Sequence, residues 1–150
     1  MTLTASDGQG GSATQSFTLK VIDPTAPTVS SVSLDADNTT IAVNMSEAVY
    51  NTSGGSGALE ASDFTFSISG GTATLSSATP SSISISGNVY TLGISLSATP
   101  LPNGSEVLTV VPASTTAIYD AAGNAAATSQ SNNTATLNEK IAPTMTIATT

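Results

Sequence analysis

The chain has 150 residues, enough for one domain with its own core. It contains no cysteine, histidine or tryptophan, which excludes disulfides and every metal site built on thiolate or imidazole. Ten acids stand against two lysines, and the net charge of -8 excludes the phosphate neutralisation that nucleic-acid binding needs and attraction to anionic membrane surfaces.

Ser and Thr make up about a third of the residues, so hydroxyls and amides replace the usual Lys/Glu surface. Thr, Val and Ile favour strands. A mean hydropathy of +0.18 and regular apolar alternation favour a folded chain over a disordered one. No run approaches the roughly 18 apolar residues of a membrane span. The opening Met1-Thr2-Leu3-Thr4 carries no basic or apolar leader, which reads as an internal stretch of a longer exported protein with Met1 added.

Residues 1–22 predict a β-hairpin. Leu3 and Ala5 alternate with polar residues, Asp7-Gly8-Gln9-Gly10-Gly11 turns, and Phe17, Leu19 and Val21 share a face. Two prolines in Asp23-Pro24-Thr25-Ala26-Pro27-Thr28 forbid a central strand and mark a linker. Ala26-Pro27-Thr28 recurs as Ala142-Pro143-Thr144, each preceded by an acid (Asp23, Glu139) and followed by an apolar residue (Val29, Met145). Recurrence at two linkers suggests a tandem array. The expected organisation is a terminal hairpin and linker over 1–23, a domain over 24–140, and the start of a following repeat over 141–150.

Within 24–140 the strands follow one another. Val29, Val32 and Leu34 lie in the first; Asp35-Ala36-Asp37-Asn38 turns; Ile41, Val43 and Met45 alternate in the second, which ends at Glu47. A Gly/Ser-rich loop spans 51–58. Phe64, Phe66 and Ile68 form the third strand, Ala73 and Leu75 continue beyond Gly70-Gly71, and Ile83 and Ile85 follow. Gly87-Asn88 turns tightly into Tyr90, Leu92, Ile94 and Leu96. Leu108 and Val110 follow the Pro102-Asn103-Gly104 loop, and Ala135 and Leu137 close the domain. Seven or more short strands with turns about every ten residues predict an all-β, antiparallel sandwich. Ile41, Val43, Phe64, Phe66, Leu92, Ile94, Leu108 and Val110 are its expected core.

Residues 24–140 resemble the bacterial immunoglobulin-like repeats of large cell-surface and biofilm-associated adhesins. The resemblance rests on Thr25-Ala26-Pro27-Thr28, Met45-Ser46-Glu47-Ala48-Val49, Ala61-Ser62-Asp63-Phe64-Thr65-Phe66, Pro102-Asn103-Gly104 and Asp120-Ala121-Ala122-Gly123-Asn124. That family usually has Phe-Ser-Glu-Pro-Val at the end of its second strand; here Met45 and Ala48 depart from it. Residues 1–23 resemble the last hairpin of a cadherin-like repeat, through Asp7-Gly8-Gln9-Gly10-Gly11 and Ser16-Phe17-Thr18-Leu19. The resemblance implies an immunoglobulin-like sandwich with Greek-key connections, an extracellular place on a bacterial surface, and neighbouring repeats of the same polypeptide as partners.

Chemistry is sparse. Without histidine, only Lys20, Lys140 or a carboxylate could activate a Ser or Thr nucleophile, and no spacing supports a carboxylate pair. The expectation is that the chain is not an enzyme. Lys20, between Leu19 and Val21, suits a buried Lys–Asn crosslink poorly. The aromatic residues Tyr50, Tyr90 and Tyr119 read as core-edge packing. The acids fall in or beside loops. Tracing the sandwich places Asp23, Glu47, Asp63 and Asp120 at the pole where the linker joins (the near pole), and Asp35, Asp37, Glu106 and Glu139 at the far pole. Oxygen-only clusters at domain junctions suit Ca²⁺. Asp23, Glu47 and Asp120, with Asp63 or the Asn124 amide, are the candidate ligands, against the plainer reading that acids sit in solvated loops.

The function expected from these features is a stalk or spacer repeat in an adhesin. The alternatives are a carbohydrate- or partner-recognition module, or an accessory domain of a secreted enzyme. The terminal hairpin and the Met145-Thr146-Ile147 segment carry apolar faces and open edges, which suggests head-to-tail pairing between molecules as a further possibility.

Overall fold

The computed structural model describes residues 2–18 and 22–145. Leu19, Lys20, Val21, Thr146 and Ile147, which figure in the hairpin, crosslink and terminal-strand expectations, lie outside the described residues. Strands β1 (Thr2–Ser6), β2 (Ser12–Ser16), β3 (Val29–Leu34), β4 (Thr40–Met45), β5 (Phe64–Ser69), β6 (Ile83–Ser86), β7 (Val89–Gly93), β8 (Val107–Pro112) and β9 (Thr134–Thr136) follow in order. A 3-10 turn at Ala61–Asp63 precedes β5. Among the described residues there is no α-helix, and none long and apolar enough to cross a membrane.

The strands form antiparallel sheets of two, four and three, ordered β1-β2, β3-β4-β7-β6 and β5-β8-β9. The last two orders match the ABED and CFG sheets of a constant-type immunoglobulin sandwich, strand for strand in chain order. Both sheets feed one hydrophobic cluster. Ile41, Val43, Tyr90 and Leu92 come from the larger sheet and Phe64, Phe66, Leu108 and Val110 from the smaller. Phe64 and Tyr90 meet across the layers with ring centroids 6.1 Å apart. All eight residues expected in the core are buried.

Local chemistry sets the register. Val29 and Val32 are three apart, out of step with a strand's period of two. The structure resolves this with a bulge: Val29 pairs with Met45 and Ser31 with Asn44, leaving Ser30 as the extra residue. Both valines then pack on the core. The β6–β7 turn has positive φ at Gly87 (58°), as a two-residue hairpin with glycine first requires.

The N-terminal hairpin is present. Asp7 Oδ1 accepts the N–H groups of Gln9 (2.8 Å) and Gly11 (2.9 Å) and so shapes the turn. Its register places Leu3, Ala5, Ala13 and Gln15 on one face and Thr2, Thr4, Ser6, Ser12, Thr14 and Ser16 on the other. Every strand residue of the hairpin is exposed.

At the far pole, Asn38 is buried with φ of 60° and clasps the end of the domain. Its Nδ2 donates to the Asn138 carbonyl (2.7 Å) and its Oδ1 accepts the Asn138 N–H (2.8 Å). Lys140 Nζ donates to the Ala36 carbonyl (2.9 Å) and pairs with Asp37 at 3.4 Å.

One far-pole acid departs from the sequence expectation. The plainer reading, that the acids sit in solvated loops, fails for Glu106, which is fully buried and forms no ion pair with another described residue. Backbone donors replace the solvent. Oε1 accepts from Thr72 (2.8 Å) and Ala73 (3.0 Å), and Oε2 from Asn103 (3.0 Å) and Gly104 (3.1 Å). Burial alone would raise its pKa, but the backbone hydrogen bonds outweigh burial and hold it at about 2. The carboxylate thereby ties the 70–73 turn to the 102–106 loop.

Candidate metal centre

The near pole is assembled from three stretches far apart in sequence. The linker is fixed first. Thr28 N–H donates to Ser46 Oγ (3.0 Å), Ser46 N–H to the Thr28 carbonyl (2.8 Å), and Val29 N–H to Gln130 Oε1 (2.8 Å). Pro27 is fully buried. This lays Asp23 against the end of the β4 turn, where Glu47 sits. The third stretch is the 119–125 loop. Tyr119 exchanges backbone hydrogen bonds with Tyr50 (2.7 and 2.8 Å), which pins the loop beside the 50–58 loop. The two loops touch at Gly55, where a side chain would stand 3.2 Å from the Ala121 Cα.

Asp120 is buried at the base of its loop. Its Oδ1 accepts the N–H groups of Gly123 (2.6 Å) and Asn124 (2.7 Å), and its Oδ2 accepts Asn124 Nδ2 (2.6 Å). Burial opposes ionisation, but the bonds from the Asn124 side chain and the loop backbone outweigh it and lower the pKa. Asp120 is therefore a fixed anion. Glu47 is shifted the other way: burial first, then the charges of Asp120 and Asp23, raise its pKa.

Asp23, Glu47 and Asp120 each offer a carboxylate oxygen, and these oxygens lie within 4.8 Å of one another. They line one cleft with Ile22, Gly54, Ala121 and Ala122. A cluster of these dimensions could hold a metal ion, and its all-oxygen donor set suits a hard cation.

The other two candidate ligands have different placements. Asp63 is outside the three-acid group; its Oδ2 accepts the Glu60 N–H (2.8 Å) at the start of the 3-10 turn. The Asn124 amide braces the pole, since its Nδ2 also donates to the carbonyls of Asp23 (2.8 Å) and Thr25 (3.2 Å). Among the aromatics, Tyr90 is buried with its hydroxyl 3.4 Å from the Val49 carbonyl, and Tyr50 and Tyr119 are half-buried. Lys140 is exposed at the far pole.

Comparisons with family models, with curated proteins and with solved structures gave no match.

Proposed function

We propose that this chain is a spacer repeat of an extracellular bacterial surface protein, stiffened by Ca²⁺ at the junction between linker and sandwich. The observation that carries this reading is the meeting of Asp23, Glu47 and Asp120. One acid comes from the linker, one from the end of β4 and one from the 119–125 loop. A cation held by all three ties the approaching chain to the domain body. The three carboxylates bring one oxygen each to the cluster, and water or carbonyls would complete the six to eight oxygens that Ca²⁺ takes. The resemblance of residues 24–140 to immunoglobulin-like repeats, and of 1–23 to a cadherin-like hairpin, supports the same setting. The absence of histidine leaves nucleophilic catalysis without its usual base, which favours a structural role over an enzymatic one.

Thermal unfolding in chelator and in millimolar Ca²⁺ tests the proposal. Extracellular calcium modules bind at about 10⁻⁴–10⁻³ M. Ligand at ten times a millimolar Kd stabilises the folded state by about 1.4 kcal/mol, or roughly 5 °C in a domain of this size. The rise should be lost in Asp23→Asn, and Mg²⁺ should reproduce little of it. Identical melting in Ca²⁺ and chelator would remove the calcium from this reading.

A further inference from the structure

We propose that the free edge of β6 is a self-association surface, through which two copies of this chain pair antiparallel over Ser82–Ser86 about a two-fold axis at Ser84. The inference goes beyond the spacer reading and does not depend on calcium.

The other edges of the two larger sheets are closed or short. On β5, the Phe66 N–H is taken by the Ala78 carbonyl at 2.7 Å. On β3, the bulge interrupts the edge and Gln130 takes the Val29 N–H. β9 has only three residues. β6 is outermost in its sheet and carries no proline, charge or bulge, the devices that ordinarily blunt an edge.

Its side chains are also incompletely covered. Ile83 and Ile85 pair with Leu92 and Tyr90 and so share the core-facing side, yet Ile85 is 44% exposed. It opens onto a groove with Tyr50, Leu59 and Tyr90. An added strand would bury it.

The strand's own sequence selects the second copy as the occupant, and charge permits it. The chain carries -8 overall, so most faces of two copies repel. Residues 64–105 contain no charged residue at all, and β6 lies inside this stretch. The strand also matches itself. In the antiparallel register about Ser84, Ile83 faces the partner's Ile85, Ser82 faces the partner's Ser86, and Ser84 faces its own equivalent. Directly opposed residues share a face, so isoleucines meet on the core side and serines on the solvent side. A two-fold contact closes on itself and gives dimers, not fibres. So short a pairing buries well under the ~1,200 Å² of a stable interface, so the affinity is weak, near millimolar. In a tandem array such contacts would add through multivalency.

The test is sedimentation velocity with backbone amide NMR, from micromolar to millimolar concentration, on the wild-type chain, Ser84→Lys, Ser84→Glu and their equimolar mixture. Ser84 is exposed and faces away from the core, so circular dichroism should show both variants folded. The wild type should dimerise at the top of the range, with concentration-dependent shifts confined to 81–90 and the groove. Each variant alone places like charges opposite each other and should weaken association at least about tenfold. The mixture should restore it. A wild type that stays monomeric overturns the proposal. So do single variants that associate like wild type, which would assign the contact to the hairpin or another surface. A mixture that stays monomeric excludes the Ser84 axis and overturns it too.

Discussion

Replacing Glu106 with glutamine isolates the energy of a buried carboxylate held only by backbone. Its pKa is depressed from 4.5 to about 2. At 1.36 kcal/mol per unit, the ionised form stabilises the fold by roughly 3 kcal/mol at neutral pH. The amide keeps the shape but not the chemistry. Whichever way it turns, its NH₂ faces N–H donors, either Thr72 and Ala73 or Asn103 and Gly104. Glu106→Gln should therefore lower the unfolding free energy by about 3 kcal/mol at pH 7, or Tm by about 10 °C.

The pH dependence has a definite sign. A carboxyl with a depressed folded pKa contributes fully above its unfolded pKa, and the contribution disappears as pH falls through the folded value. The gap between wild type and Glu106→Gln in urea unfolding should be constant from pH 8 to 6 and shrink by roughly 2 kcal/mol by pH 3. Carboxylates elsewhere are common to both proteins and cancel. Equal midpoints at pH 7, or a gap unchanged between pH 7 and 3, would refute the reasoning.

Three further substitutions probe the frame. Phe66→Ala removes a side chain that is 3% exposed at the centre of β5, and urea unfolding should show a loss of about 3–5 kcal/mol. Gly71→Ala sets a Cβ 2.2 Å from the Glu106 carboxyl at φ of 56°, whereas Gly87→Ala has the same backbone demand (φ 58°) with nothing within 4 Å. Both should pay the left-handed penalty of about 1–2 kcal/mol, and Gly71→Ala at least that much again by thermal melts.

The strands were legible because apolar residues alternate plainly: Ile41-Val43-Met45, Phe64-Phe66 and Tyr90-Leu92 each put their bulk on one face. The meeting of Asp23 and Glu47 followed from strand direction, since a down strand and an up strand return Glu47 to where Asp23 left, but the same tracing put Asp63 among the candidate ligands and it lies outside the group. What misled was residue type. Glu106 is in phase with Leu108, Val110 and Pro112, all buried, so the same alternation aims it inward. Grouped with the other acids for its place beside a loop, it was not set against that pattern. No cation nearby in sequence flagged the exception, because its partners are backbone N–H groups, which every residue carries. The 3-10 turn at Ala61–Asp63 was hidden for a related reason: Asp63 bonds the Glu60 N–H three residues back, a local contact that has no periodicity.

The two poles treat a carboxylate oppositely, and that contrast gives a last test. Glu106 is met by donors and is stabilising. Glu47 is met by burial and by the charges of Asp120 and Asp23, and its carboxylate accepts no hydrogen bond from another described residue. A raised folded pKa means that stability is lost as pH rises above the unfolded pKa, so at neutral pH without cation Glu47 works against the fold. Glu47→Gln removes that charge and no bond. In chelator it should raise the unfolding free energy and the Tm. In Ca²⁺ the order should reverse, because the wild type gains a ligand oxygen that the amide supplies poorly. The informative reading is the crossing of the two melting curves' order between chelator and Ca²⁺. A Glu47→Gln variant already less stable than wild type in chelator would mean that Glu47 holds the pole together by itself, and that the three acids meet without being strained.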